Sequence, residues 1–433
     1  MTLPRRRVIF CPSVTTEMDD ERRLPAPLRP LAFRNYRLFF FGQLISLMGT
    51  WMQSVAQQWL VYRLTGSPAL LGLVGFLGQI PVFLFAPIGG VIADRFPKRK
   101  VVIVTQTLFM VLAFLFALLT LTRHIRVWHI PLLAFLFGLV NAADVPARQA
   151  FVPEMVPRSV LLNAIALNSA MFNIARIIGP AVAGVTVAAV GEGWCFFANA
   201  VSYIAVIAGL LLMDVPDAAT PSANASPLAH LLEGLRFVAQ TRPICAILLV
   251  LGVVSLTGMP YVVLMPIFAD RILHAGAKGL GVLMTASGIG ALCGALLLAM
   301  REGLRGLGVR VAFGAIGFGT SLIAFSLSRS FWLSVLLMVP AGFCMITQMA
   351  SANTLVQTLA PDELRGRVMS VYAMMFMGMA PFGSLMAGTL ATWLGVPMTV
   401  ALGGALCIVA GALFAHRLPL LRTEARKLLA ASR

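Results

Sequence analysis

The sequence predicts an all-α polytopic membrane protein, with twelve transmembrane helices arranged as two pseudo-symmetric six-helix bundles. Three observations lead there. The chain is 59% hydrophobic and only 11% charged, with a mean hydropathy of +0.90, a composition outside the range of soluble domains. Apolar runs near the ~20 residues that a bilayer core demands recur along almost its whole length, without the two-residue alternation of a barrel strand. The two halves of the chain also resemble each other at a fixed spacing.

The hydrophobic segments fall at about 38–62, 69–93, 101–122, 128–150, 162–188, 193–213, 243–269, 278–300, 310–328, 331–357, 367–393 and 396–416. An even count puts both tails on one face. With that face cytoplasmic, 26 of the 33 Lys and Arg lie there. Six lie opposite (Arg63, Arg123, Arg126, Arg271, Lys278, Arg329), and Arg176 falls inside a span. This is the positive-inside asymmetry. It accounts for the net charge of +17 through membrane insertion, so nucleic acid is not an expected partner.

The organisation that follows is a basic tail over 1–37, a first bundle over 38–213, a linker over 214–242, a second bundle over 243–416 and a basic tail over 417–433. The first tail carries eight Arg with Glu17, Asp19, Asp20 and Glu21, and lacks the apolar core of a signal peptide. The linker opens with the polar, Pro- and Ala-rich "DVPDAATPSANASP". In the "LAHLLEGLRFVAQ" that follows, Leu228, Leu231, Leu232, Leu235 and Val238 take helical spacing. An amphipathic helix on the cytoplasmic surface is expected there, the alternative being an extension of the seventh span. The repeat is clearest between 157–184 and 361–388, offset by 204. Pro157/Pro361, Met171/Met375, Phe172/Phe376, Gly179/Gly383, Ala183/Ala387 and Gly184/Gly388 coincide. Such a duplication suits two bundles rocking about a site near the midplane.

The stretch "GGVIADRFPKRK" (89–100) ends the second span. Gly90 and Asp94 share a helix face. Gly90 admits a close neighbour, and Asp94 can meet the positive N-terminus of that neighbour. The stretch resembles the G-x-x-x-D-R-x-G-R-K loop signature of the major facilitator superfamily. Gly90, Asp94 and Arg95 match it, Lys98 and Arg99 keep its two cations, and Pro97 replaces a glycine. The resemblance implies a gating latch in which the acid caps span eleven near residues 365–368. Plain positive-inside anchoring would explain the cations alone. "ARIIGPAVAG" (175–184) resembles the G-x-x-x-G-P-x-x-G-G signature of exporting members through Gly179, Pro180 and Gly184. A generic packing kink is the alternative. "WLVYRLTGSPALLGLVGF" (59–76), 145–181 and 353–370 are similar to the branch that contains the enterobactin exporter and related bacterial efflux proteins.

Charges inside spans cost about 2.5–3.5 kcal/mol at a helix centre and default to functional candidates. Asp144 and Arg148 are i and i+4 in span four, on one face with Asn141, and Arg176 lies in span five. Three readings of Asp144 stay open: a latch member bonded to Lys98 or Arg95, the carrier of a coupling proton, or half of a static ion pair. Arg176 either biases the cavity electrostatically or bonds carbonyls freed by Pro180. One acid against two bases suits neutral or anionic amphipathic cargo. Gln43, Ser46, Thr50, Gln53 and Gln57 form a stripe on span one, and Thr347, Ser351, Thr354 and Thr358 another on span ten. Each stripe lines the cavity or holds helices together.

No Walker loop, metal-ligand cluster or Ser–His pair is present. The expected function is not enzymatic and needs no cofactor or metal, with the proton-motive force as energy source. The reading is a monomeric secondary transporter in a bacterial inner membrane, both termini cytoplasmic, exporting a small metabolite, siderophore or drug. An importer or lysolipid flippase on the same fold, or a non-transporting membrane sensor or assembly protein, are the alternatives. The use of 29 Arg against 4 Lys fits a GC-rich bacterium.

Overall fold

The computed structural model describes residues 24–215, 227–300 and 306–431. Most of the first tail, much of the linker and the last two residues lie outside them. After a short 3-10 segment at Ala26–Ala32, the first half comprises α1 (Arg34–Thr65), α2 (Pro68–Arg95), α3 (Lys98–Leu121), α4 (His129–Met155), α5 (Leu161–Val190) and α6 (Glu192–Leu211). A linker helix, α7 (Pro227–Gln240), follows. The second half comprises α8 (Arg242–Ile272), α9 (Gly276–Ala299), α10 (Leu307–Leu327), α11 (Phe331–Leu359), α12 (Arg365–Leu394) and α13 (Val396–Ala431).

Each expected span coincides with a helix, with ends that differ by up to five residues, and α13 continues through the expected tail to Ala431. Eleven helices among the described residues are long and apolar enough to cross a membrane. The expected count of twelve differs from this by α1. That helix has 32 residues, but Arg34, Arg37 and the glutamines at 43, 53, 57 and 58 dilute its hydropathy. The linker helix is separate from α8, because Thr241 leaves helical geometry between them.

Local chemistry sets the boundaries. Gly66 takes the left-handed conformation (φ 61°) that closes α1. Ser67 then accepts a hydrogen bond from the Leu70 amide, with Pro68 in the first turn, and starts α2. Within the bilayer the backbone satisfies itself by continuous helix. α8 and α12 each contain π-helical turns, at Val254–Gly258 and Phe268–Ile272 in one and Met374–Gly378 in the other.

Within the first half, α2 packs on α4, α1 on α5 and α6, and α3 on α4 and α6; within the second, α9 packs on α11, and α10 on α11 and α13. Two seams join the halves, α5 against α9 and α2 against α12. Both are tight only in the half of each helix remote from the tails. A Cβ on Gly281 would fall 2.6 Å from the Pro180 carbonyl oxygen, and one on Gly72 would fall 2.8 Å from Gly388 Cα. Nearer mid-span, Thr285 Oγ1 donates to the Ile177 carbonyl (3.2 Å). There the Phe76 and Phe83 rings also lie 5.8 and 5.9 Å from that of Phe382. Toward the tails the helices part. The first turns of α12, Arg365–Ala373, pack on α7 and α11 rather than on α2. The bundles therefore form a V, closed opposite the tails and open on the tail face.

Candidate functional site

The apex of the V is built from the middle of α5, α8 and α9. Arg176 is the sixteenth of the 30 residues of α5. A Cβ on Gly288 of α9 would lie 3.3 Å from the Arg176 carbonyl oxygen, so this point of α5 touches the second bundle. The guanidinium is within electrostatic reach of Tyr261 on α8, whose hydroxyl shares a 3.0 Å hydrogen bond with Ser287 of α9. Among the described residues Arg176 makes no ion pair and no hydrogen bond, including none to the carbonyls around Pro180. A cation thus stands at the bundle seam with a phenol and a hydroxyl across from it and aromatic rings on the neighbouring α2–α12 seam. That arrangement can take an anionic or polar group of an amphipathic guest while aromatic faces take its apolar part.

The export-type residues frame this point. Gly179 packs directly on Trp51 and Met48 of α1, while Gly184 meets Ala277 and Gly281 of α9. The small residues and Pro180 hold α5 against both bundles.

Asp144 lies elsewhere, inside the first bundle. It is 1% exposed. Thr105 Oγ1 and Gln106 Nε2 donate to its Oδ1 (2.7 and 2.9 Å), and Arg148 Nε stands 3.3 Å from its Oδ2. The hydrogen bond to Lys98 or Arg95 that the latch reading required is not made. Asp144 is eleven residues before Met155, the end of α4, which places it about 16 Å below that end at 1.5 Å per residue. Lys98, the first residue of α3, is level with that end and pairs with Glu154 instead (2.6 Å).

The loop motif divides its labour. Arg99 donates to the Leu210 and Leu211 carbonyls (2.8 and 3.0 Å), neutralising the C-terminal end of α6. Gly90 has no atom within 4 Å of where a Cβ would stand. Asp94 and Arg95 are exposed and make no ion pair among the described residues. Gly90 follows Phe76 and Phe83 at seven-residue spacing, so its open face lies on the side of α2 that those rings turn toward α12. Across the open mouth of the V, Arg367 at the start of α12 pairs with Glu233 of α7.

The polar stripes are mostly turned inward. Gln43, Ser46 and Gln53 are buried, and Gln53 Oε1 accepts from Asn199 of α6 (2.7 Å). Gln53 thereby joins α1 to α6, whereas Gln43 Oε1 is buried without a hydrogen-bond partner among the described residues. Thr50 is exposed and bonds the Ser46 carbonyl and the Tyr203 hydroxyl, while Gln57 is half-buried. On α11, Thr347 and Ser351 are buried and Thr354 is exposed.

The closed side carries residues that sequence reasoning missed. Tyr62, at the end of α1, donates to Asp270 Oδ2 at the end of α8 (2.5 Å), and the Arg271 guanidinium carbon lies 5.6 Å from the Tyr62 ring centroid. Together with Trp59, Arg63, Thr65 and Gly66 they line a cavity of about 350 Å³. Arg63 is tied to Glu192 of α6 (2.6 Å). In sequence these charges read as isolated flanks of spans. The signal available was the placement of an acid and a base at the end of span seven and a tyrosine at the end of span one.

A family profile described as transmembrane secretion effector matches residues 25–433. The chain is 27% identical over 395 residues to the staphyloferrin A transporter of Staphylococcus aureus, covering 90% of this chain and 98% of that one. It is 28% identical to the multidrug efflux pump Tap of Mycolicibacterium fortuitum, over 84% of this chain and 90% of that one. It is 26% identical to the enterobactin exporter EntS of Shigella boydii, over 77% and 79%. Among solved structures, the nucleoside transporter NupG superposes with a TM-score of 0.72 at 13% identity, covering 91% of this chain and 99% of that one.

Proposed function

The chain belongs to the transmembrane secretion effector family of major facilitator transporters, and on that footing we propose that it exports a small neutral or anionic amphipath, of the siderophore or drug class. Export runs from the cytoplasm across a bacterial inner membrane, by alternating access driven by the proton gradient and without a cofactor. The tail face is taken as cytoplasmic from the positive-inside bias. The observation that carries the reading is Arg176. It is a cation at mid-membrane, without a carboxylate partner among the described residues, at the apex of a V open to the tail face.

In this mechanism cargo enters the mouth from the cytoplasm. Its polar group meets Arg176 on the first bundle and the Tyr261–Ser287 pair on the second. Contact with both bundles favours their approach, because cargo can shift the equilibrium only by binding the closing state better. The Gly90–Asp94 face then meets the start of α12, where Asp94 faces its helix N-terminus. On the far side the Tyr62–Asp270 hydrogen bond parts and releases the cargo outward. Asp144 is the group assigned to the coupling proton. Protonating it removes the charge that holds Arg148, which is free to reorganise toward the tail face.

Purified protein in proteoliposomes tests this reading. An anionic catecholate should be transported in preference to a quaternary ammonium dye. Arg176→Gln should lower its transport at least tenfold, with Arg176→Lys recovering part of it. Preference for the dye, or a fully active Arg176→Gln, would remove the proposal.

A further inference from the structure

The second bundle contains a cluster of buried donors that transport through the central apex does not use. On α11, Thr347 Oγ1, Gln348 Nε2 and Ser351 Oγ are all buried without a hydrogen-bond partner. Their side chains are at most 6% exposed. Thr347 lines a small cleft with Gly294, Leu297 and Leu298 of α9 and Arg310 of α10. Gln348 packs on Gly314 of α10, where an added Cβ would fall 2.6 Å from its own. α10 and α11 run antiparallel, so Ser351, one turn further toward the tails, comes level with Arg310. Arg310 has no ion pair among the described residues.

The internal repeat gives this cluster a meaning. Its offset of 204 lays Gln348 on Asp144, Arg310 on Gln106 and Ala352 on Arg148. The first bundle has a buried carboxylate held by a hydroxyl, an amide and a guanidinium. The second has hydroxyls, an amide and a guanidinium, with an amide standing where the carboxylate would be. Buried donors without an acceptor are costly and call for an unaccounted guest. A guest beside a guanidinium, with no described acid lining the cleft, is an anion. The cleft beside Thr347 and Arg310 is about 10 Å³, the space of one water-sized, single-atom guest at most, and Gln348 and Ser351 flank it from α11 without lining it.

We propose that Arg310, Thr347, Gln348 and Ser351 form a binding site for one halide-sized inorganic anion, chloride in the cell, which takes the place of the missing carboxylate. The site is independent of the cargo at the central apex. It locks α10 to α11 as Asp144 locks α3 to α4.

Thermal unfolding of the full chain in detergent, followed by tryptophan fluorescence, tests it without a transport assay. Replacing sodium gluconate by sodium chloride at equal ionic strength should raise the midpoint saturably, by about 1–3 °C. Arg310→Gln should abolish that response, whereas Arg329→Gln, at an exposed arginine elsewhere, should retain it. Gln348→Glu should supply the carboxylate internally, stabilising the protein in gluconate and removing the chloride response. Equal midpoints in the two salts for the unsubstituted protein would place water there and overturn the proposal. A full chloride response in Arg310→Gln would also overturn it. If that variant does not fold, a chloride response persisting in Gln348→Glu decides against the site.

Discussion

Replacing Tyr62 by Phe removes one oxygen atom and with it the hydrogen bond that ties α1 to α8 on the closed face. Hydrogen bonds to charged groups contribute about 1.5–3 kcal/mol. Tyr62 is 7% exposed, but the cavity it lines lies at the closed rim, so the low end of that range applies. The ring itself stays, and so does its contact with Arg271. A loss of about 1.5 kcal/mol is roughly a tenfold shift toward the state open on that face. Cysteines introduced one at a time, in a chain lacking its six native ones, report the two faces. Ser384→Cys probes the α2–α12 seam, where Ser384 is buried. Gly90→Cys probes the open mouth. Tyr62→Phe should raise the alkylation rate at position 384 about tenfold and slow it at position 90. Rates at both positions within twofold of the parent, in a folded protein, would refute the assignment of Tyr62–Asp270 as the closure of this face.

Gly281→Val would drive a side chain into the Pro180 carbonyl and Gly184. It should block closure of the α5–α9 seam, so that labelling at position 90 falls and transport is lost while the protein still inserts. Asp144→Asn leaves an acceptor for Thr105 but no charge opposite Arg148. Transport by this variant should no longer respond to an imposed pH gradient, measured in proteoliposomes with and without that gradient. Its thermal midpoint should fall, by less than a fully buried pair would cost because Arg148 reaches solvent.

Helix placement was legible because it depends on local quantities. Apolar run length sets the spans, and Gly66, Ser67 and Pro68 set a boundary through their own backbone preferences. The lysine and arginine bias, on which the proposed cytoplasmic tail face rests, is local for the same reason, since insertion responds to charge near each span end rather than to packing. Arg176 and Asp144 were visible as candidates because a charge in a bilayer stands out against any apolar background.

Their surroundings were not legible. One of the three readings of Asp144 had it reach Lys98 or Arg95, but helical rise places it about three turns too deep, beside Thr105 and Gln106 on a helix whose register no local rule supplies. The stripe of Gln43, Ser46 and Gln53 has the spacing of a cavity lining and of a helix contact alike, and only the packing of α1 on α6 separates them. Tyr62 is more than 200 residues from Asp270 and Arg271 in the chain, so nothing local marks the three as one closure.

What the amino acids determine on their own is the set of bilayer-crossing helices and the repeat that relates the halves. Tertiary structure alone decides which face is shut, which carboxylate meets which donor, and that Arg176 stands at the seam. Transfer of a helix into the membrane is governed by the summed cost of its own residues, whereas a gate or a binding apex is a distance between helices. Such a distance depends on how two bundles settle against each other.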